Sequence, residues 1–190
     1  MKKQTRVIAF DDGKFTFRKG RAVLVGVVVR IPSYVEGAIV TDCEIDGVDA
    51  SGRVIDAVLK SRLREQIRLI MLDGIAAGGF NVFDLGLINR GTGIPVVSIT
   101  RREPDLNEME SALRKHFADW RERMELVSAY APHSVQGEGF RLFARNEGIS
   151  DEDALNIIAH TIVRGNFPEP LRLAHIFAGA VSSGESRGKA

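Results

Sequence analysis

The sequence predicts an α/β domain built on a five-stranded mixed sheet, with helices on both faces and further helices towards the C-terminal end. Three observations lead there. Three apolar runs open the chain, joined by links too short for helical crossovers, so they should form an antiparallel meander. Two more apolar runs then alternate with segments of helical period, the pattern of strands lying parallel in a sheet. Beyond residue 105 the apolar period is mainly helical.

Taken in order, RVIAF at 6–10 is a short strand that stops at the turn signal Asp11-Asp12-Gly13. Asp11 reads as a strand-end residue and Asp12 as part of the turn. AVLVGVVVR at 22–30 is a longer β-branched strand closed by Ile31-Pro32-Ser33, and GAIVTDCEI at 37–45 is a third. The period then changes: SGRVIDAVLKSRL sets Val54, Ile55, Val58, Leu59 and Leu63 on one helical stripe. IRLIML at 67–72 is a buried strand, AGGFNVFDLGLINR a short helix or helical turn, and IPVVSIT at 94–100 another buried strand. Asp105 with Glu108 makes a capping box for a helix whose face carries Met109, Leu113, Phe117, Trp120, Met124 and Val127, with Trp120 in the core. FRLFA is an edge strand or a loop. Ser150 with Asp153 opens a helix to Val163, and Pro168 and Pro170 start a last one.

The 190 residues suit one domain, residues 1–190, with 105–183 as a mainly helical second half packed on it and 184–190 as a flexible tail. One cysteine, Cys43, excludes an internal disulfide framework, reads as a small core residue and fits a reducing compartment. No signal-like stretch opens the chain and no window approaches the ~20 apolar residues that span a bilayer, so a soluble, cytoplasmic protein without a membrane partner is expected. The 26 basic and 25 acidic side chains nearly cancel, so bulk charge neither demands nor excludes a nucleic-acid partner. Basic density collects at 17–21, 60–68, Arg101-Arg102 and the tail. Oligomeric state is not legible in this sequence.

The strand and helix order matches the ribonuclease H-like fold, in which the first strand is central and the fourth lies beside it. The ends of those two strands would then bring Asp11 and Asp73 together. Two such carboxylates repel unless a cation intervenes, and oxygen ligands suit Mg²⁺ or Mn²⁺. A pair of such ions about 4 Å apart activates water and stabilises the leaving oxygen of a phosphodiester. A third acid is expected at the start of the helix after strand three. Asp49 stands there with two readings, third ligand or helix N-cap; Asp46 is also a candidate ligand, although its Asp-Gly pair fits a turn. Asp84 is a further acid that could face the same rim. Gly74, Gly78 and Gly79 permit close approach of a backbone, and Phe80 and Phe83 read as packing rather than as a stacking platform for a base.

Four stretches resemble the endonuclease V family, and within it a divergent, mostly archaeal branch of the endonuclease dU type. AFDDGKF resembles the strand-one motif with its catalytic Asp, here Asp11, and IMLDGIAAGGFNVFD resembles the Asp-Gly motif that supplies a metal-binding Asp, here Asp73. TGIPVVSITR is similar to the segment whose terminal basic residue, here Arg101, approaches phosphate. FPEPLRLAHIFAG is similar to the C-terminal segment that brings a His, here His175, towards the metal site, while its apolar neighbours allow a buried structural histidine instead. The resemblance implies a Mg²⁺- or Mn²⁺-dependent endonuclease cutting DNA, with RNA as a second candidate, near deoxyuridine or hypoxanthine in a repair role. The alternative is a non-catalytic nucleic-acid- or protein-binding module. EIDGVDASG departs from the Glu-bearing pattern of endonuclease V, so the third carboxylate would be Asp49, one carbon shorter. The Pro-Tyr wedge is missing there too; IPSYVEG, with Tyr34, is its candidate substitute, although the stretch fits a hairpin turn.

Overall fold

A computed structural model describes residues 5–16 and 20–186. Its strands are β1 (Arg6–Asp12), β2 (Arg21–Arg30), β3 (Tyr34–Glu44), β4 (Ile67–Asp73), β5 (Ala76–Ala77), β6 (Asn81–Val82), β7 (Val96–Thr100), β8 (His133–Gly137) and β9 (Phe140–Glu147). Its helices are α1 (Ala50–Lys60), α2 (Leu85–Thr92), α3 (Leu106–His116), α4 (Trp120–Ser128), α5 (Asp151–Thr161) and α6 (Glu169–Ser183).

The main sheet has seven strands in the order β3-β2-β1-β4-β7-β9-β8, not the five expected. The first five stand as the sequence predicts: β1 pairs antiparallel with β2 and parallel with β4, and β4 pairs parallel with β7. The two additional strands come from the half read as mainly helical. FRLFA belongs to β9, an interior strand between β7 and the edge strand β8. Its period-two signal is masked because Phe143 puts an apolar residue on the same side as Arg141 and Arg145, opposite Phe140, Leu142 and Ala144. The AGGFNV stretch is a two-stranded hairpin of β5 and β6, and only LGLINR after it is helical.

Side chains alternate along β1 and β4 and so supply two cores. Ile8, Phe10, Ile70 and Leu72 meet Val54 and Val58 of α1, Leu85 and Ile88 of α2 and Val127 of α4. Val7, Ala9, Leu69 and Met71 meet Ala154 and Ile158 of α5 and Leu171, Ala174 and Ala178 of α6. The stripe expected to run through one helix is interrupted at 117–119, which divides it into α3 and α4. Trp120 is half-buried between the guanidinium groups of Arg114 and Arg121, 4.4 and 4.6 Å from its ring centre, so it is not core. Caps expected at Asp105 and Ser150 are present: Asp105 accepts from the Asn107 and Glu108 amides, Ser150 from Asp153. Among the described residues no helix is long and apolar enough to cross a membrane.

Candidate active site

β1 and β4 run side by side, with Phe10 opposite Leu72, so the next residues, Asp11 and Asp73, end neighbouring parallel strands. Strands in a sheet lie about 4.8 Å apart, and both residues sit on the face covered by α6. Asp11 is 8% exposed. Its Oδ1 accepts from the Asp12 amide at 2.9 Å, and its Oδ2 lies 2.7 Å from Nδ1 of His175, with one proton bridging the two. His175 is carried there by α6, which docks against the end of β1 through Gly13: a Cβ at that position would lie 2.6 Å from Ser182 Cβ.

Burial first, then the nearby charges of Asp73 and Asp12, pushes the Asp11 carboxyl up to about 8. Burial also raises Asp73, with Arg101 and His175 pulling it back. The guanidinium of Arg101, just past the end of β7, lies 3.6 Å from the centre of the Phe167 ring. Gly74 turns the chain away from Asp73 at φ +79°, a conformation that favours glycine, and its amide donates to Ile99 O. The structure thus draws together Asp11, Asp73, His175, Arg101 and Gly74.

Other candidates are employed differently. Asp49 sits at the first position before α1, yet its side chain neither caps that helix nor turns to the acid pair. Its oxygens accept from the Glu44 amide, Asn81, Arg53 and Arg21 at 2.8–3.1 Å. Partial burial works the other way, but those four donors outweigh it and hold the carboxyl down to about 2. Asp46 occupies a turn at φ +57° and accepts from the Phe80 amide at 3.0 Å, while its own amide donates to Gly78 O. Asp84 is the N-cap of α2, accepting from Leu87. Tyr34, 61% exposed, pairs with Arg30, which pairs with Arg6, so it stands at the opposite end of the sheet, some five residues or about 17 Å along β1 from Asp11. Phe83 is buried and Phe80 packs edge-on against Phe117 at 5.5 Å, so both are packing residues.

Three residues have site-building roles beyond the sequence reading: Asp12 is expected there only as part of a turn, and Asn81 and Arg123 are not singled out. Asp12 belongs to β1 rather than to a turn, and its Oδ2 accepts from the Gly78 amide at 2.8 Å. Fully buried Asn81 accepts from the Ala50 amide and donates to Glu44 O and Asp49, taking the capping task expected of Asp49. Arg123 donates to Gly47 O and Phe80 O, pinning α4 to the same loop; its Asp119 partner four residues earlier was the available signal. A cavity of about 510 Å³ opens beside that loop, lined by Val48, Asp49, Arg53, Leu87 and Arg123, on the face away from Asp11 and Asp73.

The model of one family, endonuclease dU, matches residues 3–182. The chain belongs to the endonuclease dU family. Among its relatives, a UPF0215 protein of Thermococcus gammatolerans is 45% identical over 190 residues, 98% of this chain and 96% of its own. UPF0215 protein PF2042 of Pyrococcus furiosus is 43% identical over 188 residues, again 98% and 96%. A crystal structure of an Archaeoglobus fulgidus protein of unknown function superposes with a TM-score of 0.84 at 36% identity, covering 93% of this chain and 97% of that one. The catalytic domain of human endonuclease V shares the fold at a TM-score of 0.55 and 18% identity, covering 92% and 81%. The resemblance read from the sequence is therefore to the right family, a divergent archaeal, endonuclease V-like one, and membership sets this endonuclease dU chain among the nucleases.

Proposed function

We infer that this endonuclease dU protein is a divalent-metal-dependent endonuclease that hydrolyses a phosphodiester of DNA near a deaminated base, deoxyuridine or hypoxanthine. The observation that carries this reading is the pair Asp11 and Asp73 at the ends of adjacent parallel strands, with His175 bonded to the first. The strand order β3-β2-β1-β4-β7, first strand central, supports a ribonuclease H-like assignment of the fold. The family description and an endonuclease V of Ciona intestinalis crystallised with inosine-containing DNA, alike in fold at a TM-score of 0.59, support DNA as substrate.

The residues fit a hard cation. A buried carboxyl raised by burial and by the charge of its half-buried neighbour, itself raised by desolvation, would be relieved by a divalent ion, and an all-oxygen pair suits Mg²⁺ or Mn²⁺. Asp11 and Asp73 would hold the metal, which supplies an activated water and neutralises charge on the leaving oxygen. His175 orients the Asp11 carboxyl through the 2.7 Å hydrogen bond at Nδ1. Arg101, fixed on the Phe167 ring, presents its N–H edge to a phosphate. Asp12, Asp46 and Asp49 fasten the Gly78–Asn81 loop beside the pair.

One observation favours the non-catalytic alternative: among the described residues no three His, Cys, Asp or Glu side chains form a ready metal-binding group. Incubation of end-labelled oligonucleotides containing deoxyuridine or hypoxanthine with Mg²⁺ or Mn²⁺ decides between them. Metal-dependent nicking abolished by Asp73→Ala is expected; no nicking, or equal nicking by the variant, overturns the nuclease reading.

A further inference from the structure

We propose that the nucleic acid leaves the Asp11–Asp73 pair across the top of the sheet towards the β8–β9 turn, its phosphates met by Arg101, Arg102 and Arg141. This rests on the nuclease reading above and adds the course of the substrate. β7 runs parallel to β4, with Ile99 opposite Asp73, so its exit at Arg101 and Arg102 opens on the same edge as the acid pair. β9 runs the other way and starts on that edge: Phe143 is opposite Thr100, and Arg141 lies two residues further out. From β4 through β7 to β9 is two strand spacings, on the order of 10 Å. Side-chain alternation puts Arg141 on the α4 face and Arg101 over Phe167 on the α6 face, so the course crosses the edge diagonally.

The manner in which these cations are held distinguishes them. Arg6, Arg21, Arg30 and Arg53 each face a carboxylate. Among the described residues Arg101, Arg102 and Arg141 have none within 4.0 Å, and two of them rest instead on ring faces: Arg101 on Phe167 at 3.6 Å and Arg141 on Phe143 at 5.5 Å. A guanidinium stacked on an aromatic face keeps its planar N–H fork free, the geometry that matches phosphate oxygens. Glu103 and Glu138 share this edge without pairing to those three arginines. β8 and β9, absent from the five-strand expectation, are what carry Arg141 into line.

The test measures binding rather than cutting, with Asp73→Asn protein and a single-stranded oligodeoxynucleotide containing deoxyuridine, as salt is varied. Removing one phosphate-binding cation should flatten the plot of log K against log salt by about 0.7. Arg141→Ala and Arg141→Gln should both show that flattening and Arg141→Lys should not, at unchanged melting temperature. Arg62→Ala, at the far end of the sheet, should keep the parent slope. A parent slope in both Arg141→Ala and Arg141→Gln overturns this course for the strand and leaves the nuclease reading standing. Failure of the Asp73→Asn protein to bind any oligonucleotide, beside wild-type protein that nicks none, overturns both.

Discussion

Two sets of carboxylates border the same end of the sheet, and they live in opposite electrostatic conditions. On the α6 side, Asp11 is buried and Asp73 half-buried, the two are close to each other and poorly supplied with donors, and both are held above the usual carboxylate range. On the α1 side, Asp49 accepts from four donors, among them Arg21 and Arg53, and lies well below it. A carboxylate saturated with internal donors has nothing left to offer a ligand. One that is crowded and undersupplied is destabilising in the empty protein and is stabilised by whatever positive charge arrives. The contrast separates the acids that the proposed reaction would use from those that fasten the neighbouring loop more sharply than distance along the chain does.

Substitutions on the two sides should therefore have opposite profiles. The largest effect is on activity: Asp73→Ala or Asp11→Asn should lower nicking roughly a thousandfold or more, several kcal/mol of transition-state stabilisation, in a single-turnover assay. Asp49→Ala should leave nicking per folded molecule within a few-fold. It should instead cost about 1–3 kcal/mol in a urea titration, because it strips partners from Arg21, Arg53 and Asn81. Loss of nicking by Asp49→Ala without loss of stability would erase the distinction.

The pH dependence of melting in EDTA sharpens it. Asp11 titrates at about 8 in the folded chain and near 3.8 unfolded, so the folded form binds the extra proton and this group lowers stability progressively as pH rises from about 4 to 8. Asp11→Asn should gain on the wild type across that window. Asp49 titrates at about 2 folded, so its contribution is complete above about 4 and fades as pH falls to 2, where Asp49→Asn and wild type should converge. The smallest effect expected is Asp84→Ala, about 1 kcal/mol for a lost helix cap with nicking unchanged.

Much of this arrangement is legible in sequence because it depends on short-range pattern. The Asp-terminated apolar runs at 6–11 and 67–73 give both strands and their acids, since a buried strand leaves only its end free to be polar. The interior position of β9 is hidden because Arg145 occupies a buried site, and nothing local announces that Tyr130 O will receive its Nε. Assigning Asp49 fails for a related reason: spacing alone does not reveal that Arg21, twenty-eight residues earlier, and Asn81 converge on it. Trp120 fits the helical stripe in period, but the break at 117–119 rotates it off the core. Tyr34, offered in place of the missing wedge, sits at the β2–β3 turn instead, because the pairing of Tyr34 with Arg30 and of Arg30 with Arg6 sets it at the end of the sheet away from Asp11.

The bond between His175 and Asp11 joins residues 164 positions apart, and Gly13 lets α6 seat against the strand that carries the acid. During synthesis the sheet can begin to form around β1 and β4 long before α6 leaves the ribosome. The full constellation exists only once nearly all 190 residues have emerged. A site arranged this way would be completed only after α6 has been made, so the order of synthesis sets the proposed acid–histidine pair among the last parts of this domain to assemble.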